Sequence, residues 1–215
     1  MQTLYFYHDP MCSWCWGYRP VSDMLFERLP AGISRQNVLG GLAPDTSVPM
    51  PLAQQAAISG HWKKIHDMLG TEFNFDFWEK CEARRETYPA CRAVIAASHQ
   101  DKAEQMIDAI QRAYYLRAMN PSDLSTLELL ARELAINTQR FSADLRSAEV
   151  ELELQRQVRF ARLSPISGFP SLALEAAGQL IPVRLDHRSF QVTLDHLQHI
   201  VESADMHRTN RSESL

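Results

Sequence analysis

The sequence has no long apolar run. No segment approaches the roughly 18 apolar residues that a membrane-spanning helix needs, so we expect no membrane partner. The first apolar run, Leu4–Tyr7, covers only four residues, and no basic residue precedes Arg19. A secretory signal peptide would show a positively charged stretch followed by a longer apolar one. We therefore expect a cytoplasmic protein.

Basic residues are neither abundant nor clustered. The 22 Lys and Arg residues are outnumbered by 26 Asp and Glu residues, which gives a formal net charge of −4. A nucleic-acid-binding surface normally shows as a Lys/Arg-rich patch, so we expect no nucleic-acid partner. Apolar residues make up 45% of the 215 residues, enough for the core of one elaborated domain or of a domain with an insertion.

Cysteine is scarce, but two of the four cysteines form a CxxC pair, Cys12 and Cys15. An apolar run precedes the pair as a short strand would, and an amphipathic stretch follows it as a helix would. This order places Cys12 at a helix N-terminus, where unpaired backbone N–H groups and the helix dipole favour the thiolate. A zinc site would need four convergent ligands, and the sequence has no second CxxC or HxxxH motif. The pair therefore indicates a redox dithiol and no metal.

The other two cysteines, Cys81 and Cys91, have nine residues between them. Free cysteine is often a small buried apolar residue. A disulfide between the two would require their Cα atoms to lie within about 7 Å, which the sequence does not reveal. Inert burial and a second, regulatory redox pair both stay open at this point.

The predicted elements follow the order β-α-β, a helical block, then β-β-α. A helix joins the first two strands, which should make them parallel, and a tight turn joins the last two, which should make them antiparallel. We expect a core domain formed by residues 1–48 and 164–204, an inserted helical domain at 49–163, and a flexible tail at 205–215. The predicted strands are near 3–8, 33–42, 171–175 and 179–184, and the predicted helices are near 13–29, 53–69, 89–97, 103–119, 125–135, 148–163 and 189–203.

Two serines are predicted to begin helices in the helical block. Ser125 and Glu128 have the spacing of a capping box, in which each side chain satisfies a backbone N–H at the start of a helix. Ser147 precedes a stretch in which apolar residues recur at helical spacing, and its hydroxyl is expected to cap that helix. The apolar residues form a predicted core face: Val150, Leu154, Val158 and Ala161.

Three segments together resemble the DsbA-like branch of the thioredoxin fold, most closely its cytoplasmic FrnE-like proteins of the protein-disulfide isomerase type. They are residues 9–17 (DPMCSWCWG) after the first strand, residues 89–94 (PACRAV) in the helical block, and residues 168–172 (GFPSL) before the third strand. The resemblance covers nearly the whole chain. It implies an α/β protein: a thioredoxin fold with a large inserted all-helical domain.

The resemblance implies a thiol-disulfide oxidoreductase of the reductase or isomerase type. Phe169 and Pro170 would form a cis-proline loop that faces the dithiol and presents backbone to a substrate. Cys12 should attack a disulfide, and Cys15 should then release the partner by attacking Cys12. Substrates would be disulfide-containing proteins or small molecules. We expect no bound cofactor, with glutathione as a candidate redox partner, and the oligomeric state is left open.

Three further residues near the dithiol are candidates for supporting roles: His8, Ser13 and Trp14. His8 ends the first strand, where it could stabilise a thiolate or relay a proton, or could simply be hydrogen-bonded locally. Strongly oxidising DsbA proteins have a histidine between the cysteines, whereas Ser13 and Trp14 supply no cation. We therefore expect a less oxidising couple. Trp14 should lie exposed beside the dithiol, and Trp16 should pack into the core.

Two other functions are compatible with the same architecture. Kappa-class glutathione transferases and 2-hydroxychromene-2-carboxylate isomerases resemble it, although they typically do not rely on a redox dithiol, so the intact CxxC pair weighs against them. A non-enzymatic holdase or adaptor is the other alternative, in which the helical domain and the aromatic residues bind other chains.

Overall fold

The computed structural model describes residues 2–212, with side chains as far as residue 203. Its centre is a four-stranded sheet in the order β2-β1-β3-β4. The strands are β1 (Gln2–His8), β2 (Ile33–Leu39), β3 (Ser171–Ala176) and β4 (Gln179–Val183). The helices are α1 (Ser13–Phe26), α2 (Leu52–Leu69), α3 (Phe77–Lys80), α4 (Tyr88–Ser98), α5 (Ala103–Leu116), α6 (Leu124–Glu133), α7 (Thr138–Asp144), α8 (Ala148–Leu163) and α9 (Phe190–Ser212).

Strand β1 lies at the centre of the sheet. It pairs in parallel with β2 and antiparallel with β3, and β3 forms an antiparallel pair with β4. Alternate residues of β1 point to opposite faces. Leu4 and Phe6 pack with α1 and α9 on one face, while Tyr7 packs with Ala161 of α8 on the other. The predicted α/β class and strand directions are therefore confirmed.

The chain between β2 and β3 contributes helices α2 to α8. Helices α4, α5, α6 and α8 share one apolar core, and Leu39 from the end of β2 belongs to it. A second cluster is built from aromatic residues around Trp62, which is fully buried. The stripe predicted on α8 is buried as expected. The division at residues 48, 164 and 204 stays a prediction.

Several predicted bounds need correction. Ser125 is not a cap: α6 begins at Leu124, so Asp123 is the N-cap residue and Ser125 lies inside the first turn. Ser147 does cap α8, because its hydroxyl accepts the N–H of Val150 at 3.1 Å. Helix α1 ends at Phe26 and β2 at Leu39, before the predicted residues 29 and 42.

Two short helices were not predicted from the sequence. Helix α3 has four residues, too few to show a helical period, and α7 has seven. A signal for α7 exists, since the side chain of Asn137 accepts the N–H of Arg140 as an N-cap. Helix α9 extends to Ser212, beyond the predicted end near residue 203. The predicted tail at 205–215 lies outside the residues whose side chains are described, and 213–215 lie outside the structure altogether.

Candidate dithiol active site

The dithiol lies where β1 turns into α1. Cys12 is the N-cap residue of α1, with extended backbone, and its sulfur accepts the N–H of Cys15 at 3.4 Å. The Cys12 carbonyl accepts the N–H of Trp16 at 3.0 Å, the first backbone bond of the helix. A sulfur that accepts a helix N-terminal N–H is in the position where a thiolate is stabilised.

Both sulfurs are shielded from solvent. Cys12 is 6% exposed and Cys15 is 3% exposed, so the cysteine at the helix start is covered almost as well as its partner. Burial raises the pKa of Cys15 well above its usual value, and the hydrogen bond and charge of Cys12 add to the effect. Cys15 is therefore held as the thiol.

A loop from the far end of the chain covers Cys12. The Phe169–Pro170 peptide bond is cis, and the Phe169 carbonyl accepts a hydrogen bond from the Cys12 thiol at 3.4 Å. Strand β3 starts directly after this loop, with Ser171 paired to Tyr7 of β1. The ring of Phe169 fills the space beside Gly40, where a Cβ would lie 1.9 Å from the ring. Glycine at position 40 thus lets the loop approach the end of β2.

His8 is 2% exposed and stacks on Phe6, with ring centroids 5.2 Å apart. Its Nε2 atom has no hydrogen-bond partner among the residues whose side chains are described. Burial, with a smaller contribution from the charge of Arg35, lowers the pKa of His8 to about 3. The ring is therefore neutral near neutral pH and supplies no positive charge to a thiolate. The expected alternative, a His8 that is simply hydrogen-bonded locally, therefore finds no support from Nε2.

A small cavity lies behind the dithiol. It has a volume of about 40 Å³ and is lined by Cys15, His8 and Asn37 together with charged side chains of α1, β2 and α5. Besides His8 Nε2, the side-chain oxygen of Asn37 also lacks a hydrogen-bond partner there. Unpartnered polar atoms in a cavity large enough for water usually indicate a water site.

The tryptophans beside the dithiol differ in their surroundings. Trp14 is partly exposed, packs edge-on against His187 with ring centroids 5.2 Å apart, and lies under the Lys64 ammonium group. Trp16 stacks on Tyr115 at 5.6 Å, and its indole N–H donates to the Glu72 carbonyl. Ser13 is partly exposed in the first turn of α1.

No role was predicted for Asp9 from the sequence, although it precedes the CxxC pair by only three positions. Its side chain is fully buried and accepts N–H bonds from Met11 and Leu42, both at 2.8 Å. It also accepts the hydroxyl of Thr87 at 2.7 Å and the thiol of Cys91 at 3.6 Å. The signal was its position in the turn after β1, but three of its four partners are far away in sequence.

All four cysteines are free, and Cys81 and Cys91 occupy different places. Cys91 is fully buried in the helical core, whereas Cys81 is partly exposed beside the aromatic cluster and donates to the Ala118 carbonyl at 3.1 Å. Across the part of the chain with described side chains, no group of three or more His, Cys, Asp and Glu residues could hold a metal ion. Likewise, none of the helices described is both long and apolar enough to cross a membrane.

A β-strand leading to a CxxC pair at a helix start, faced by a cis-proline loop, defines the dithiol class of thioredoxin-fold proteins. The helical segment between β2 and β3 is the DsbA-like form of this fold. The sequence profile of the family described as thioredoxin matches residues 5–177. The chain belongs to the thioredoxin family, and the predicted DsbA-like fold is confirmed.

Solved structures are similar to nearly the whole chain. A candidate protein disulfide isomerase from Nitrosomonas europaea is 28% identical, with a TM-score of 0.82, and the match covers 94% of this chain and 98% of the other. The cytosolic disulfide reductase DsbM from Pseudomonas aeruginosa is 24% identical, with a TM-score of 0.72 and coverage of 94% and 97%. A structure of DsbM with GSH (glutathione) has a TM-score of 0.71 at 22% identity, with coverage of 94% and 98%.

Curated relatives have a different description. The ClpXP adapter protein SpxH from Bacillus subtilis is 23% identical over 173 residues, which is 79% of this chain. The match covers 56% of SpxH, so the chain spans little more than half the length of this relative.

Proposed function

We propose that the protein is a thiol-disulfide oxidoreductase of the reductase or isomerase type, with Cys12 and Cys15 as its catalytic residues. The observation that carries this proposal is the position of the Cys12 sulfur. It lies between a helix N-terminal N–H, that of Cys15, and the carbonyl of Phe169, each 3.4 Å away. One group stabilises a thiolate, and the other belongs to a loop that can hold a substrate chain against the sulfur.

The reaction proceeds in two exchanges. The Cys12 thiolate attacks a substrate disulfide, forms a mixed disulfide and expels one substrate thiolate, which takes up a proton. Cys15 then loses its proton and attacks the Cys12 sulfur, which releases the second substrate thiolate and leaves a Cys12–Cys15 disulfide. Isomerisation follows if the substrate leaves by its own second thiol before Cys15 attacks.

Phe169 and Pro170 are proposed to bind the substrate. Proline at 170 has no backbone N–H, and the Phe169 carbonyl lies directly over Cys12. An extended substrate segment can pair with this backbone beside the sulfur, as a strand pairs with a sheet edge. Because the loop covers the Cys12 sulfur, it also accounts for the low exposure of Cys12. A substrate would have to displace the loop or enter along its edge.

His8, Ser13 and Trp14 are proposed to support the reaction. Because His8 is neutral, a proton relay suits it better than stabilisation of a thiolate: it shares a cavity with Cys15, whose proton has to leave in the second exchange. Trp14 offers a partly exposed apolar face to the substrate. Ser13, between the cysteines, supplies no charge, which favours a reducing over a strongly oxidising couple.

Glutathione is proposed as the redox partner and the cytoplasm as the compartment. The likeness to a cytosolic disulfide reductase that has been solved with GSH supports both. In the cytoplasm, a dithiol that is not strongly oxidising would be kept reduced and would act on disulfides that form there.

Trapping of the mixed disulfide tests the proposed function. Cys15→Ser removes the resolving thiol, so the variant should accumulate a mixed disulfide at Cys12 with a disulfide-bonded substrate or with glutathione disulfide. Cys12→Ser should form none. Cys81→Ser is the matched control and should react as the wild type does. Mass spectrometry after alkylation locates the adduct; an adduct at Cys81 or Cys91 instead of Cys12 would contradict the assignment.

Glutathione-dependent isomerisation or transfer is the alternative reading of the same fold. It requires glutathione binding but no resolving cysteine, so Cys15→Ser would keep full turnover. Loss of turnover in Cys15→Ser, with glutathione held as a disulfide on Cys12, would exclude this alternative.

An adaptor role is the second candidate, and the similarity to the ClpXP adapter protein SpxH favours it. Its test is a protein that lacks the redox pair. A Cys12→Ser/Cys15→Ser variant that still binds a client protein and promotes its degradation by a ClpXP-type protease would support the adaptor role. A variant that has lost both redox turnover and client binding would support the oxidoreductase alone.

A further inference from the structure

A carboxylate buried behind the dithiol has no cationic partner within residues 2–203. Asp9 is 0% exposed, and among the residues with described side chains it takes part in no ion pair. Buried carboxylates are uncommon unless they are paired or extensively hydrogen-bonded, because removing the charge from water is costly. The surroundings of Asp9 therefore need a functional or structural reason.

The hydrogen bonds around Asp9 suit the ionised carboxylate. The backbone N–H groups of Met11 and Leu42 can only donate. Thr87 accepts the N–H of Ala43 at 3.3 Å and directs its own hydroxyl hydrogen to Asp9 at 2.7 Å. The thiol of Cys91 adds a fourth donor. The two backbone N–H groups cannot accept a hydrogen from a protonated carboxyl, so the arrangement suits the carboxylate.

These bonds also attach the active-site turn to the rest of the molecule. The Asp9 carbonyl accepts the N–H of Cys12 at 3.0 Å, so the residue holds the backbone of the attacking cysteine directly. Its side chain reaches the loop after β2 through Leu42 and the start of α4 through Thr87. Three chain segments thus meet on this one carboxylate, immediately behind the CxxC turn.

We propose that Asp9 is a positioning residue that holds a negative charge behind the dithiol and thereby makes the couple more reducing. The proposal rests on the proposed oxidoreductase function. Reduction by glutathione breaks the Cys12–Cys15 bond and joins two glutathione sulfurs in one glutathione disulfide. Of the two thiol protons that glutathione gives up, one goes to Cys15 and the other to solvent when Cys12 is left as the thiolate. The disulfide is uncharged, so a nearby negative charge opposes only the reduced form.

The electrostatic surroundings agree with this assignment. Burial is the largest cause of the raised pKa of Cys15; the negative charge of Asp9 raises this pKa further, whereas a hydrogen bond from the Asp9 backbone lowers it by more. Burial also raises the pKa of Asp9 itself, while the hydrogen bonds from Thr87, Leu42, Met11 and Cys91 act in the opposite direction. The four donors therefore favour the charged form of Asp9 against the effect of its burial.

The test compares Asp9→Asn with the wild type in graded glutathione buffers, with the fraction of Cys12–Cys15 disulfide read by alkylation and mass spectrometry. When two unit charges are separated by a few ångströms more than van der Waals contact, their interaction changes an equilibrium constant by about threefold to thirtyfold. Asp9→Asn should raise the equilibrium constant for reduction by a factor in this range and raise the thiolate fraction of Cys12. Asp23→Asn, which removes a largely exposed carboxylate of α1, is the control and should stay within about twofold of the wild type.

A second measurement separates this role from simple support of the fold. Asparagine replaces one carboxylate oxygen with an NH₂ group, which cannot accept the hydrogen bonds that this oxygen accepts. Asp9→Asn should therefore be less stable than the wild type. A purely structural role would lower the unfolding free energy of the oxidised and reduced forms equally and leave the redox equilibrium unchanged, which would overturn the proposal. A larger loss for the oxidised than for the reduced form is the expected result, since removal of the charge favours the reduced form.

Thr87→Val gives the same information if Asp9→Asn does not fold. It removes the shortest hydrogen bond to Asp9, which should raise the pKa of the Asp9 carboxyl and lower its ionised fraction. The redox equilibrium should therefore shift in the same direction by a smaller factor. An unchanged equilibrium in a folded Thr87→Val variant would overturn the role of Asp9. If the wild type itself formed no Cys12–Cys15 disulfide, the proposed function would fall first, so the two failures are distinguishable.

Discussion

At the scale of single residues, the chemistry depends on what lies within a few ångströms of the Cys12 sulfur. A backbone N–H of the helix start and a loop carbonyl are its hydrogen-bonding partners, and neither Ser13 nor His8 adds a positive charge. A reactive thiolate in this protein is therefore stabilised by the helix start alone. This is the physical basis for expecting a couple that is less oxidising than those with a histidine between the cysteines.

Ser13→His tests this expectation. A histidine in the first turn of α1 would stabilise the Cys12 thiolate, and hence the reduced form, so the reduction potential should rise by tens of millivolts; a tenfold change in the equilibrium constant corresponds to about 30 mV. Ser13→Gln, with a neutral side chain of similar length, is the control and should change the potential much less. Equal shifts in the two variants would show that size rather than charge matters at this position.

Burial of His8 should make the stability of the protein depend on pH. Its pKa is about 3 in the folded protein and should be near 6.5 in the unfolded chain, so the unfolded state binds a proton more readily. The contribution of His8 to the free energy of unfolding is therefore fully present above about pH 6.5. It is lost as the pH decreases towards 3, by an amount on the order of 5 kcal/mol in total. Denaturant unfolding as a function of pH should show a flatter profile for His8→Gln, whereas exposed His61→Gln should follow the wild type. An unchanged slope in His8→Gln would contradict a buried neutral imidazole.

At the scale of the elements, helix starts provide a matched pair of serines. Ser147 is the N-cap of α8 and bonds to Val150, whereas Ser125, which has the sequence pattern of a capping box, lies inside the first turn of α6. Ser147→Ala should lower the free energy of unfolding by about 1 kcal/mol, within the range of 0.5–2 kcal/mol for lost caps. Ser125→Ala should change it by no more than about 0.5 kcal/mol, because alanine is a good helix former. Equal losses measured by denaturant unfolding would contradict these helix starts.

The elements that the sequence predicted correctly are those with a strong local signal. β1 is short and apolar, α8 repeats apolar residues at helical spacing behind a serine cap, and β3 and β4 are separated by a tight turn at residues 177–178. A local sequence pattern was misleading at the start of α6. In α6 the helix starts one residue before the serine of the capping-box pattern, and Glu128 instead accepts from Ser142 and Arg146.

The site could be predicted only in part for a related reason. Cys12, Cys15, Phe169 and Pro170 stand in motifs that a reader of the sequence can recognise. The role of Asp9 depends on Leu42, Thr87 and Cys91, which lie 33, 78 and 82 positions away. The shielding of Cys12 by a loop 157 positions away is likewise a tertiary contact. Such contacts have no periodic or local signature in a single sequence.

At the scale of the whole molecule, the sheet contacts the helical segment through Leu39 of β2 and also through a buried side chain of β1. Tyr7 is fully buried, and its hydroxyl donates to Ser164 at the end of α8, at 2.9 Å. Ser164 directs its own hydroxyl hydrogen to the Phe160 carbonyl at 2.8 Å, which fixes the direction of the Tyr7 bond. This short chain of hydrogen bonds joins the sheet to the last helix of the segment that contains α2 to α8.

Tyr7→Phe should therefore weaken the attachment between these parts. Loss of one buried hydrogen bond costs about 0.5–1.5 kcal/mol, and we expect the free energy of unfolding to fall by this amount. Tyr5→Phe on the same strand removes a more exposed bond to Glu175 and should cost less. Chemical denaturation of both variants measures the difference, and a larger loss in Tyr5→Phe would contradict a structural role for the Tyr7–Ser164 bond.

We propose above all that Cys12 and Cys15 form the working redox couple of the molecule. The most direct measurement is the redox equilibrium of the wild-type protein in graded glutathione buffers, read by alkylation of all four cysteines and mass spectrometry. We expect one disulfide, confined to Cys12 and Cys15, that forms and breaks reversibly with a midpoint well below the roughly −120 mV of strong oxidants, while Cys81 and Cys91 stay reduced. A pair that stayed reduced throughout, or a glutathione adduct on Cys12 with no disulfide to Cys15, would contradict the claim.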